Sequence, residues 1–338
     1  MKKRIISIFL ISILLCGCSG GFNGSEKTGE TKCEKEIFAM DTIMNLTIYG
    51  ENASSVMNDA VALIQRLDKT FSVTNKDSDI AKLNDAHGKA VAVSNDTFEL
   101  LQRSLEFSKE TDGLFDISIY PLVKAWGFTT EDYHIPDEQE REKALANVDY
   151  KKIKFLDGNK VQIDAGMEID LGAVAKGYLS QKLMELLKEQ GIESAIVSLG
   201  GNVQALGEKE GWNPFVVGIT DPADGSSLYG TIEVENQAVI TSGIYQRYFE
   251  EDGKRYHHIM DRRSGMPADN TLASVTVISS DGVMADALAT ALYVMGDTKA
   301  REYQEAHPEI QLILIYKDGS YWQSENAGMK RNQEDENE

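Results

Sequence analysis

The chain has 338 residues, 54 of them acidic and 34 basic, for a net charge of −20. So acidic a protein has no footprint for nucleic acid and is repelled by anionic lipid, so any hold on a membrane has to come from buried hydrocarbon. Three cysteines are too few for a disulfide scaffold, and a chain of this length buries a sizeable core without one.

Lys2, Lys3 and Arg4 precede an apolar run from Ile5 to Leu15, too short to span a bilayer but suited to a secretory leader. Leu15-Cys16-Gly17-Cys18 resembles a bacterial lipobox, which makes 1–17 a lipoprotein signal peptide and Cys18 the acylated first residue. Residues 18–35, rich in Gly, Ser, Thr, Lys and Glu, read as a flexible tether, and the expected location is the bacterial cell membrane, lipid-anchored on its extracytoplasmic side.

A single domain is expected over 36–326. Ile37 to Tyr49 reads as strand, and Val56 to Thr70 as a helix with Val56, Ala60, Leu63, Ile64 and Leu67 at helical spacing. Asp96 to Lys109 is a second amphipathic helix, ended by Asp112-Gly113. Asp77-Ser78-Asp79 begins like a calcium loop but has Lys82 where the sharp turn needs glycine. Apolar strands flanking Asp157-Gly158, Asp252-Gly253 and Asp318-Gly319 read as hairpins, because Asp-Gly supplies the positive φ angles of a type I′ turn.

Asp170 suits the N-cap of a helix running through Leu183, Leu186 and Leu187 to Gly191. Its Gly172, Gly177 and Lys176 make either an anion site or an ordinary helix start. Ala195 to Asn202 is a buried strand entering a Gly200-Gly201 turn. In Tyr256-His257-His258-Ile259-Met260-Asp261 the two histidines point to opposite faces of a strand, so at most one faces a site. Val283 to Met295 is a helix apolar nearly all round, with Asp281 or Ser280 at its N-cap and Gly296 past its end. Asp286 and Thr290, four apart, share one face of it. A buried carboxylate needs either a hard cation or several donors, and the spacing leaves both open. Residues 327–338 read as a disordered charged tail.

Helices and hairpins mix without strict βαβ alternation, which points to an α+β fold with largely antiparallel sheets packed with helices, one compact unit open to division into two lobes. No P-loop, dinucleotide fingerprint, H-E-x-x-H or paired C-x-x-C is present.

Nine blocks in order resemble the ApbE family of FAD:protein FMN transferases, from about Met40 to Gly296: Ala39-Met40-Asp41-Thr42, Arg66-Leu67-Asp68 with Phe71-Ser72, Thr111 to Asp116, Asp170 to Tyr178, Ser198 to Asn202, Val217 to Pro222, Thr241-Ser242-Gly243, His258 to Asp261 and Ala285 to Ala291. The resemblance implies Mg²⁺ as cofactor, FAD as substrate, and transfer of FMN to a threonine or serine hydroxyl of an acceptor protein, an extracytoplasmic redox protein or domain, with release of AMP. It implies metal ligands at Asp286, Thr290 and the Ala173 carbonyl. It implies flavin contacts at Met40, Leu114, Phe115, Asp116, Asp170, Lys176 and Ile259, with His258 and Asp286 in the chemistry. The family's first block usually reads Met-Gly-Thr, where this chain has Asp41, and an aromatic residue often found after Phe-Ser is replaced by Thr74. Two alternatives stand beside transfer: Mg-dependent hydrolysis of FAD to FMN and AMP, and a non-catalytic flavin- or solute-binding lipoprotein.

Overall fold

In the computed structural model, which describes residues 32–209 and 213–332, β1 (Lys32–Ala39) and β2 (Thr42–Tyr49) are followed by α1 (Ala53–Phe71), α2 (Asp79–Asn84), β3 (Val91–Ala92) and α3 (Asn95–Glu110). Short elements come next, α4 (Tyr120–Ala125), α5 (Glu138–Leu145), β4 (Lys154–Leu156) and β5 (Lys160–Gln162), before α6 (Ala175–Glu189). Strands β6 (Ser194–Leu199), β7 (Asn202–Leu206), β8 (Phe215–Thr220), β9 (Leu228–Val234) and β10 (Ala238–Gly243) lead to an arm of β11 (Tyr248–Glu251) and β12 (Lys254–His257). Then come β13 (Met260–Asp261), β14 (Met266–Pro267), β15 (Leu272–Ser279), α7 (Gly282–Met295), α8 (Asp297–Ala306), β16 (Gln311–Tyr316), β17 (Tyr321–Gln323) and β18 (Lys330–Arg331).

Eight strands form the main sheet in the order β1-β2-β6-β7-β10-β15-β16-β17, every neighbour antiparallel. Helices α1, α6 and α7 cover one face, and the three-stranded sheet β18-β9-β8 packs on the other. Central β15 is buried at all eight positions, as a strand covered on both sides must be, whereas β8 alternates buried and exposed. The α+β, antiparallel expectation therefore holds. The largest apolar core runs unbroken from β2 through α1, α3 and α6 to Ala291 of α7, and a satellite gathers around Trp126, Leu122 and Phe128.

Several boundaries differ from the sequence reading. Ile37 to Tyr49 is not one strand, because Met40 and Asp41 take φ angles of 48° and 58° and fold it into a hairpin with β1. That strand starts at Lys32, inside the expected tether. The leader 1–17, Cys18 and residues 19–31 lie outside the described residues. At the other end, Met329 is buried and Lys330–Arg331 pair with Gly230 and Thr231 of β9, so the fold extends past 326 into the expected tail; residues 333–338 lie outside the described ones. Of the three Asp-Gly turns only Asp252-Gly253 is a two-residue loop with both φ angles positive, 50° and 75°. At Asp157-Gly158 the positive pair is Gly158 and Asn159, and at Asp318-Gly319 only Gly319 is positive. The tight turn recurs at Gly200-Gly201, φ 63° and 95°.

Asp281 caps α7 as expected, accepting from the Val283 and Met284 N–H groups, and Gly296 ends it at φ 79°. Asp170 does not cap α6. The Leu171 carbonyl accepts from both Val174 and Ala175, which forms a turn first and delays the helix to Ala175. Helices α6 and α7 cross at two glycines. A Cβ on Gly177 would stand 2.2 Å from the Gly282 carbonyl oxygen and 2.6 Å from the Asp286 Cβ; one on Gly282 would meet the Gly177 oxygen at 2.8 Å. Gly177→Ala is therefore expected to lower the unfolding free energy by about 1–3 kcal/mol, overpacking outweighing the better helix propensity of alanine. An unchanged or raised urea midpoint would refute the close crossing.

Candidate active site at the crossing of α6 and α7

The close approach allowed by Gly177 brings its N–H within 2.8 Å of Asp286 Oδ2. Gly177 is the third residue of α6, one of the first-turn positions whose N–H has no partner within the helix itself. Among the described residues no hydrogen bond ends on the Ala173 carbonyl, and Asp286 has neither a second donor nor an ion-pair partner. Asp286 is only 4% exposed, and its carboxylate has that one N–H as its partner, which leaves a buried polar group short of donors. Thr290, one turn on, has its hydroxyl 3.1 Å from that of Ser242 at the end of β10. A carboxylate oxygen, a hydroxyl and an unbonded carbonyl are the kinds of donor a hard divalent cation takes, and the sparsely partnered Asp286 fits one.

Beside this lies a second group of charges. Asp170 has its N–H on the Ile117 carbonyl at 2.9 Å, and its Oδ1 accepts from Gly172 at 3.0 Å. Burial pushes its pKa up, opposed by the Gly172 N–H and by the charges of Arg247 and Lys176. Lys176 is half-buried, with Nζ 3.4 Å from the Gly172 carbonyl. The hydroxyl of Tyr120 is driven up to about 12 by burial and by the neighbouring carboxylates Asp170 and Glu168.

His258 shares these surroundings. Its N–H and its Nδ1 both meet the Arg247 carbonyl, at 3.2 and 3.1 Å. A carbonyl only accepts, so Nδ1 carries the proton and Nε2 keeps a free lone pair. Burial, with the nearby Arg247, His257 and Lys176, pushes the pKa down to about 3, so the ring is neutral at physiological pH. His257 faces the other way. It is buried, its Nε2 donates to the Ala268 carbonyl at 3.0 Å, its ring packs edge-on against Tyr293, and burial holds its pKa at about 4. The two adjacent histidines thus have separate surroundings, as the strand alternation requires.

The β11–β12 arm that carries His258 is clasped by rings. Tyr133 and Tyr256 stack on either side of Phe249 at 5.5 and 5.3 Å, Trp126 lies under Tyr256 at 5.5 Å, and Phe128 meets the His258 ring at 6.4 Å. Trp126 is itself pinned by its Nε1–H to the Gly265 carbonyl, 3.0 Å.

The remaining residues singled out from sequence fall into two sets. Met40 sits on the β1–β2 turn with its N–H on Asp68 Oδ1 at 2.8 Å, and Asp41 beside it is in the left-handed region, where glycine is unstrained and aspartate is tolerated. Ile259 and Leu114 join the apolar cluster around Leu288 and Ala289 of α7. Phe115 and Asp116, by contrast, turn inward. Phe115 is 2% exposed, and the Asp116 carboxylate is occupied by the Ser118 N–H and hydroxyl, the Tyr150 N–H and Arg262. Burial raises the pKa of Asp116 against those partners, and its geometry is that of a joint beneath the cleft. Thr74 is exposed and bonded to Ser72.

Arg247 was not among the expected site residues. The signal was present in the Asp252-Gly253 turn, because counting outward pairs Tyr248 with His257 and brings Arg247 opposite His258.

The ApbE family model matches residues 40–314. A FAD:protein FMN transferase of Klebsiella pneumoniae is 38% identical over 260 residues, covering 75% of this chain and 80% of that protein. One of Treponema pallidum is 32% identical over 335 residues, covering 92% and 91%. The crystal structure of the ApbE protein of Thermotoga maritima superposes with a TM-score of 0.82 at 34% identity, covering 87% of this chain and 97% of that one. The flavin transferase ApbE of Vibrio cholerae superposes with a TM-score of 0.79 at 28% identity, covering 88% and 97%. On the span of the family match and these identities, the chain belongs to the ApbE family.

Proposed function

We propose that this protein transfers FMN from FAD to a serine or threonine hydroxyl of an acceptor protein, releasing AMP, with Mg²⁺ held by Asp286, Thr290 and the Ala173 carbonyl. The observation that carries the reading is the Asp286 carboxylate, buried with the Gly177 N–H as its one donor, while the Ala173 carbonyl just before α6 accepts no hydrogen bond among the described residues. When bound there, Mg²⁺ would neutralise diphosphate charge and favour departure of AMP. Three protein ligands suit an ion that keeps places for water and phosphate oxygens.

The chain's own groups supply the rest. Lys176 and Arg247 offer positive charge for the phosphates. The acceptor oxygen forms a bond to the phosphorus attached to riboflavin, the bond from that phosphorus to the oxygen of AMP breaks, and His258 Nε2 takes the hydroxyl proton. The Arg247 carbonyl keeps His258 in the tautomer this needs. Met40, Leu114, Ile259 and Asp170 are the proposed flavin contacts, and Phe115 and Asp116 would act through their backbone or by supporting the cleft. Lipid on Cys18 would hold the enzyme on the extracytoplasmic face of the cell membrane, a reading supported by the basic-apolar-cysteine order of the leader.

Incubation with FAD, Mg²⁺ and an extracytoplasmic acceptor separates the readings. Flavin fluorescence that stays on the acceptor band after denaturation means transfer, free FMN alone means hydrolysis, and stoichiometric binding without AMP means a binding protein. Asp286→Ala is expected to lower AMP release by about a hundredfold or more with the far-ultraviolet dichroism unchanged; wild-type turnover would remove the metal role. His258→Ala should cost about 10²- to 10⁴-fold in kcat with the dissociation constant for FAD little altered, and equal losses in binding would assign the ring to positioning flavin. Because its pKa is lowered to about 3, His258 stays a neutral base on the alkaline side of that value. The kcat/KM profile should then show no acid limb from this group between about pH 5 and 8, and a limb centred near 6.5 would contradict the assignment.

A further inference from the structure

Two arginines stand side by side at the turn between β13 and β14, and they bond in opposite directions. Arg263 turns back on Asp261, two residues away, in an ion pair at the surface. Arg262 crosses to Asp116, with Nη1 3.2 Å from Oδ2 and the Asp116 side chain only 1% exposed. Its guanidinium lies 5.8 Å from the centroid of the Tyr150 ring and against the backbone of Gly113, where a Cβ would overlap it. Gly113 is also left-handed, at φ 78°, so both the turn and the slot require glycine there.

The crossing joins two pieces of the proposed machinery. Arg262 comes four residues after His258 on the short β13–β14 hairpin, while Asp116 follows Leu114 and Phe115, and Ile117 beyond it accepts the Asp170 N–H at 2.9 Å. Each piece has fixings of its own. The Thr111 hydroxyl accepts from the Phe115 N–H, and Ser118 donates twice to Asp116. On the hairpin, the Ala268 N–H donates to the Ile259 carbonyl and Trp126 to that of Gly265. Among the described residues, no other ion pair or hydrogen bond runs between the hairpin and the 113–118 loop.

Resting on the transfer reading above, we propose that Arg262 is a positioning residue, which pins the hairpin to the 113–118 loop and so sets His258 at its working distance from a flavin nucleotide held against that loop. The arginine acts through the tether and not by contact with substrate. Losing it should change rate more than affinity. The loop keeps its bonds to Thr111, Ser118 and Asp170 and still receives flavin, whereas a misplacement of about 1 Å at the base costs up to about a hundredfold in rate.

A buried ion pair also balances charge, and the test separates that role from positioning. It follows FMN transfer at saturating FAD and Mg²⁺ onto washed membranes of source cells lacking the gene, by flavin fluorescence on denaturing gels, together with FMN released without membranes, FAD affinity and the urea midpoint. Arg262→Met leaves a buried carboxylate unpaired and should lower both the midpoint and the rate. Adding Asp116→Asn removes that charge, so the double variant should regain stability yet stay about tenfold or more below the wild-type rate, with FAD affinity within about threefold. Arg262→Lys, whose ammonium still reaches toward Asp116, should be faster than the double variant. A double variant at the wild-type rate would reduce the pair to charge balance, and an FAD affinity that falls in step with the rate would assign the tether to flavin binding; either overturns the proposal. If the wild type frees FMN but labels nothing, the transfer reading falls alone, because the same comparison of variants is then made on FMN release.

Discussion

The Gly177 N–H, which has no partner within its own first helical turn, donates to Asp286 of the facing helix, and two consequences follow together. It fixes where α6 crosses α7. It also gives the buried Asp286 carboxylate its one hydrogen-bond donor among the described residues. The crossing works only because neither helix has a side chain there, since a single methyl on Gly177 would overlap the Gly282 carbonyl. Packing and the placement of Asp286 thus rest on the same two glycines.

The two histidines show how far environment outweighs residue type. Both are pushed below the ordinary imidazole range by burial, and both have one nitrogen committed to a backbone carbonyl. His257 spends its free nitrogen in the core, where it has no partner among the described residues. His258 keeps its own without a hydrogen-bond partner among the described residues, with Lys176 and Arg247 nearby. A neutral ring beside two cations is stable only because protonation would add a third positive charge in a desolvated place, and that is the state a general base needs.

Two of the chain's basic side chains meet around Asp170. With 54 acidic residues against 34 basic ones, a bound diphosphate would meet repulsion over most of the surface. Lys176 and Arg247, from elements far apart in sequence, both come close enough to Asp170 to lower its pKa.

Sequence alone determined the elements whose cause is local. Helical spacing in Val56 to Leu67, the Asp281 cap and Gly296 stop of α7, the shared face of Asp286 and Thr290, and the Asp252-Gly253 turn all follow from periodicity and from what each residue's backbone allows. The order of nine blocks carried the family. Tertiary structure decided what depends on distant partners. The start of α6 moved to Ala175 because Leu171 accepts two N–H groups; Asp116 turned from a cleft residue into a joint because Ser118, Tyr150 and Arg262 converge on it; and residues on both margins of the domain were drawn into strands because β2 and β9 offered open edges to pair. None of these is visible in a window of ten or fifteen residues, since each is settled by which unpaired hydrogen-bonding group lies nearest in space and not in sequence.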